Sequence, residues 1–147
     1  MIRTKSVGAR IVAGALFAFP TTSIAADWQL LAWGKSEAVV FVDTDSVRGL
    51  PPVEIRRPFE AIQLWVKMDF SQDRTVSYRE QRQLYRVNCA AETMMIGSSV
   101  TYSANGSVVD SWSEEDYDFH YKPQTPETIG YAIMEFACGR RGILGQR

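Results

Sequence analysis

The only histidine, His120, sits in the run Tyr117-Asp118-Phe119-His120-Tyr121, where an imidazole, a carboxylate and phenols fall within five residues. Imidazole changes charge near neutral pH, and a carboxylate beside it, Asp118 or Glu115, is the pairing that acid–base catalysis uses. Nucleophilic catalysis would also need a hydroxyl or thiol on a shaped turn, and no G-x-S-x-G elbow occurs. Zinc needs several histidine or cysteine ligands. The acidic group Asp110, Glu114, Glu115, Asp116 and Asp118 lacks the ligand spacing and turn glycine of a calcium loop, so it reads as a solvated loop. Binding chemistry has better material. Lys67, Arg79, Arg82 and Arg86 make a basic strip if they share one side of a sheet, suited to acidic partners or to ion pairs with the chain's own acids. Trp112, Tyr117, Phe119 and Tyr121 form an aromatic set, either a recognition surface that takes in His120 or a cover for the helix. The expectation is a binding protein, with no catalytic residue, metal or cofactor. Its alternatives are a small periplasmic enzyme using His120, and a carrier whose Trp65 and Trp112 line an apolar cavity.

The chain of 147 residues opens with Arg3, Lys5 and Arg10, an apolar run over 11–19, and then Ser23-Ile24-Ala25. That is the order of a secretory signal cut before Ala26. The apolar run is too short for a membrane span, which takes about 20 residues. No cysteine stands at the cut to accept a lipid. The expected division is a signal over 1–25, one domain over 26–139 and a flexible tail over 140–147. The signal holds three of the 16 basic residues and none of the 17 acids. The remainder therefore carries 13 bases against 17 acids, a net −4, which argues against nucleic acid as a partner. Export to an oxidising compartment makes Cys89 and Cys138 read as a disulfide, with two buried free thiols as the other reading. Such a bridge would contribute on the order of 4 kcal/mol by loop-closure entropy.

The patterning predicts mostly strands. Residues 26–33 and 38–42 are short apolar runs. In the first, Trp28, Leu30 and Ala32 face one way and Leu31 and Trp33 the other, with a turn at Gly34-Lys35-Ser36 between the two runs. Asp43-Thr44-Asp45-Ser46 is turn-forming, and 48–58, with three prolines, is a loop or irregular edge. Over 61–70, Ile62, Leu64, Val66, Met68 and Phe70 alternate with Gln63, Lys67 and Asp69, as in a strand with one face on a core. The stretch 75–89 changes apolar phase, which predicts a bulge near 81–84. Asn105-Gly106 predicts a two-residue type I′ hairpin with Tyr102 opposite Val109 and Val100 opposite Ser111. Residues 113–124 read as a long loop. Thr125, Pro126 and Glu127 read as the start of a helix whose stripe is Ile129, Ala132, Ile133, Phe136 and Ala137, stopped by Gly139. The sum is an α+β domain. An antiparallel sheet of five to six strands carries a C-terminal helix on one face, and the bridge ties strand to helix.

In order along the chain, these residues resemble the surface-adhesin protein E family of small exported bacterial domains. The resemblance is carried by Trp28, by Phe41-Val42-Asp43-Thr44-Asp45-Ser46-Val47, by Leu64-Trp65-Val66 and by Tyr85-Arg86-Val87-Asn88-Cys89. It continues with Tyr102, with 105–111, and with Lys122-Pro123 and Thr125-Pro126-Glu127-Thr128 leading to Phe136-Ala137-Cys138. It implies an antiparallel sheet with a final helix, a Cys89–Cys138 bridge, and adhesion to extracellular-matrix or envelope proteins. The location expected is periplasmic, surface-associated or secreted. Family members can be lipid-anchored, whereas the expected signal here offers no lipid-acceptor cysteine, so no lipid anchor is expected. Exposed sheet edges in so small a domain also admit a homodimer.

Overall fold

The computed structural model describes residues 26–34 and 37–139; the expected signal over 1–25, Lys35-Ser36 and the tail over 140–147 lie outside them. Eight strands form one antiparallel sheet: β1 (Trp28–Trp33), β2 (Val39–Asp43), β3 (Arg48–Leu50), β4 (Ala61–Asp69), β5 (Glu80–Asn88), β6 (Thr93–Tyr102), β7 (Val108–Ser113) and β8 (Lys122–Pro123). The main order is β1-β2-β4-β5-β6-β7, with β3 beside β4 and β8 beside β6. The two additional strands are the short ones. β3 lies in the proline-rich segment expected as irregular edge, and β8 sits at the end of the segment expected as loop.

One face of the sheet carries helix α1 (Ile129–Ala137). Leu31, Val40, Val42, Leu64, Val66 and Val87 pack there with Ile133 and Met134, all inaccessible to solvent or nearly so. The bridge between Cys89 and Cys138 (Cα–Cα 5.6 Å) joins the residue after β5 to the cap of α1, as the element order implied. In β1 the expected alternation breaks. A register shift between Leu30 and Ala32 leaves Leu31 as an extra residue, so Leu31 and Ala32 are both buried.

Ser46 explains how β4 changes neighbours. β4 pairs with β2 over 66–69 and with β3 over 61–63. Between them the Trp65 N–H donates to Ser46 Oγ at 2.8 Å. Ser46 is placed by a 3-10 turn over Thr44–Ser46, where Asp43 Oδ1 accepts from the Asp45 N–H. The turn-forming run thus supplies the hydrogen bond that the ladder lacks at that point.

Three expectations need correction. The helix starts at Ile129, because Thr128 is the residue whose hydroxyl accepts from the Tyr131 N–H, and Glu127 before it is left-handed (φ 62°). Thr125-Pro126-Glu127 is therefore approach rather than first turn. The Asn105-Gly106 hairpin is not type I′, since only Gly106 has positive φ (83°). The Gly106 N–H donates to Ser103 O, and Asn105 Oδ1 accepts from the Ser107 N–H, which adds a residue to the turn. Tyr102 then faces Val108, while Val100 does face Ser111. The bulge lies one strand over from the predicted place. β5 keeps its phase by setting polar Gln83 in line with Tyr85 and Val87. The extra residue is Gly97 in β6, between the partners of Leu84 and Tyr85.

Candidate functional site

The sheet face opposite α1 holds two of the four basic candidates in a ladder. Pairing register puts Phe41, Lys67, Arg82 and Val100 on one rung across β2, β4, β5 and β6. Lys67 Nζ lies 4.9 Å from the Trp28 ring centre and 4.6 Å from that of Phe41. The Arg82 guanidinium lies 5.8 Å from Trp28 and 5.1 Å from Tyr102, and its Nε is 2.6 Å from Glu80 Oε1. Cation–ring contacts of this exposure contribute about 0.5–1 kcal/mol each, and the alkyl stems cover the rings. Trp28, Phe41 and Tyr102 were not among the sequence candidates. Only the cross-strand register shows that they flank the cations.

Arg86 belongs to a different construction. The loop over 51–60 and the loop over 114–121 meet on this same face. Between them Arg57, 2 % exposed, donates from Nε to Asp116 Oδ2 (2.8 Å), from Nη2 to Pro51 O (2.8 Å), and from Nη1 to Phe59 O. Arg86 Nε donates to Gln63 Oε1 (3.2 Å) and stands 3.8 Å from Asp116. Tyr121 donates its hydroxyl to the same carboxylate at 2.8 Å and sets its ring edge-on to Phe59. Burial first, and then the bond to Asp116, push the Tyr121 phenol well above its ordinary pKa. Gly97 makes room for this cluster: a Cβ there would stand 2.8 Å from Arg86 Nη1. Gln63 is therefore buried, and β4 has both faces covered here rather than the single buried face that its alternation implied. Arg86 and Tyr121 direct their polar groups inward, while Arg79 is exposed at the turn before β5.

The remaining candidates collect at the β7 side. Tyr117 and Phe119 stack at 5.2 Å, Phe119 meets His120 at 4.2 Å, and Arg56 lies over Tyr117. His120 Nδ1 is 2.9 Å from Glu115 O and 3.7 Å from the Glu114 carboxylate, so its carboxylate neighbour is Glu114 rather than Asp118 or Glu115. An open groove of about 370 Å³ is lined by His120, Glu114, Lys122, Met94 and Trp112. Trp112 pairs with Ser99 and lies on the helix side, whereas Trp65 shares a rung with Leu84 and Ser98 on the other side. The two tryptophans thus do not line one cavity. Among the described residues no three histidine, cysteine or acidic side chains converge as metal ligands, and no helix is long and apolar enough to cross a membrane.

β7 is exposed along its whole length. All six of its residues are solvent-accessible, with Val108 and Val109 each at 57 %. It is the last strand of the main sheet order. Its outward N–H and C=O groups therefore form an edge available to another chain. A family model described as surface-adhesin protein E matches residues 28–139 of the chain. No curated protein and no solved structure matches it.

Proposed function

The chain belongs to the surface-adhesin protein E family, and from that premise we propose that it is an exported, non-enzymatic binding protein that engages extracellular-matrix or envelope proteins through the β7 edge. The observation that carries the reading is β7 itself. Natural edges are usually blunted by short length, lysine or proline, or are covered. This one runs six residues, bears only Asp110 as a charge, and exposes Val108, Val109 and Trp112. Strand addition fits such an edge: main-chain hydrogen bonds supply affinity and alternate side chains supply selectivity. The same edge offers itself to a second copy, so a homodimer is part of the proposal.

The location proposed is periplasmic, surface-associated or secreted. Solid-phase binding of the exported chain to laminin, vitronectin and envelope proteins tests the reading. Saturable binding at micromolar concentration or below to at least one of them is expected. Absence of any saturable partner at that level counts against it. Replacing His120 with alanine is expected to leave binding and every assayed phenotype unchanged, and a lost activity in that variant would point to an enzyme instead.

A further inference from the structure

At the opposite edge of the sheet a groove of about 890 Å³ opens between the end of β1 and the first turns of α1. Trp33 and Tyr131 supply aromatic walls, and Pro126 and Ile129 are among the apolar lining. Trp33 is 63 % exposed, more than any other tryptophan of the chain. Thr128, Tyr131 and Glu135 are three and four residues apart, so they share one helix face, and all three line the groove. Glu127 lines it too, from a left-handed backbone position. Among the described residues no lysine, arginine or histidine does so.

Two electrostatic contributions oppose each other here. The start of α1 carries roughly half a positive charge from its aligned peptides. Against it stand two full carboxylates, one of them directly before the helix cap. One free N–H of the first turn, that of Tyr131, is already taken by Thr128 Oγ1 at 3.2 Å. Among the described lining residues the two carboxylates outweigh that half charge, so the lining presents negative as well as aromatic groups.

We propose that this groove binds an extended peptide segment of a partner protein that carries lysine or arginine beside apolar side chains. The cation lies over the Trp33 or Tyr131 ring within reach of Glu127 and Glu135, and the apolar neighbours cover Pro126 and Ile129. Ring faces and carboxylates reinforce each other toward a cation, and the open shape admits a few residues of extended chain. The site goes beyond the β7 reading and stands whether or not that edge binds.

The test is calorimetric titration of the exported chain with the hexapeptide Leu-Lys-Leu-Lys-Leu-Lys, against its Leu-Glu counterpart. One-to-one binding of the basic peptide alone is expected, weakening as salt is raised. Trp33→Ala should weaken it about tenfold or more, as loss of an aromatic anchor does. Glu127→Gln combined with Glu135→Gln should weaken it about tenfold and flatten the salt dependence. Ile55→Ala, on the exposed loop over 51–60 and outside both binding regions, should leave it unchanged. The proposal is overturned by absence of binding at millimolar peptide, by equal binding of the acidic peptide, or by affinity that Trp33→Ala leaves intact. Trp33-dependent self-association in place of peptide binding would assign the groove to a second copy and overturn it as well.

Discussion

The two faces of one sheet are closed by different physics. On the helix side Leu64, Val66 and Val87 meet Ile133 and Met134 in a largely apolar layer, locked at its end by Cys89–Cys138. On the other side Asp116 gathers Arg57, Arg86 and Tyr121, and Lys67 and Arg82 lie over the rings of Trp28, Phe41 and Tyr102. Apolar burial is non-directional and tolerates substitution of similar volume. A buried charge cluster depends on every partner, because a charge left alone in the interior is costly. The helix side therefore supplies bulk stability. The loop side fixes where the 51–60 and 114–121 loops lie, and with them the position of the chain that leaves β7.

The largest expected effect is on the helix side. Reduction with dithiothreitol should remove on the order of 4 kcal/mol and lower the melting temperature strongly. An unchanged melt would show that the bridge adds nothing to that face. Next comes the loop side. Asp116→Ala strands the guanidinium of Arg57 and should cost about 3 kcal/mol, the lower end for a broken buried pair because Asp116 is partly exposed. A loss under about 1 kcal/mol in urea unfolding would make this cluster an ordinary surface network. Gly97→Ala pushes a methyl at the Arg86 guanidinium and should cost about 1–3 kcal/mol. In an Arg86→Ala background that penalty should largely vanish, and a penalty that persists would locate the strain elsewhere.

Alkali gives the smallest effect and compares the faces directly. Tyr85 on the helix side and Tyr121 on the loop side both have phenols raised by burial. A raised folded-state pKa means that the stability is complete below the unfolded value of about 10 and is lost as pH rises above it. Urea midpoints should fall between pH 9 and 11. Tyr121→Phe should flatten part of that fall, and an undiminished slope would leave Tyr85 as its sole source.

Much of the helix side was legible in sequence, because it is built from periodic signals. The alternation of β4 identifies Leu64 and Val66, and the stripe over 129–137 identifies Ile133. The bridge follows once Cys89 ends a strand and Cys138 a helix. The loop side was not legible. Arg57 and Asp116 lie 59 residues apart in two segments without period, so nothing local pairs them. For Arg86 and Tyr121 the sequence leaves a surface role and an internal partner both open, because only the fold brings Asp116 to them. The hairpin at Gly106 shows the same limit on a smaller scale. The turn was evident, but the Asn105 side chain added a residue and shifted Tyr102 from Val109 to Val108.

The β7 edge is the place where the central functional claim is decided. Val109→Lys puts a charge on that edge at an exposed position, so the fold and the melting temperature should be unchanged. The decisive measurement is binding to laminin and vitronectin by wild type and Val109→Lys side by side. The account predicts saturable binding by the wild type and at least about tenfold weaker binding by the variant at equal stability. Equal affinity in the two proteins would contradict it.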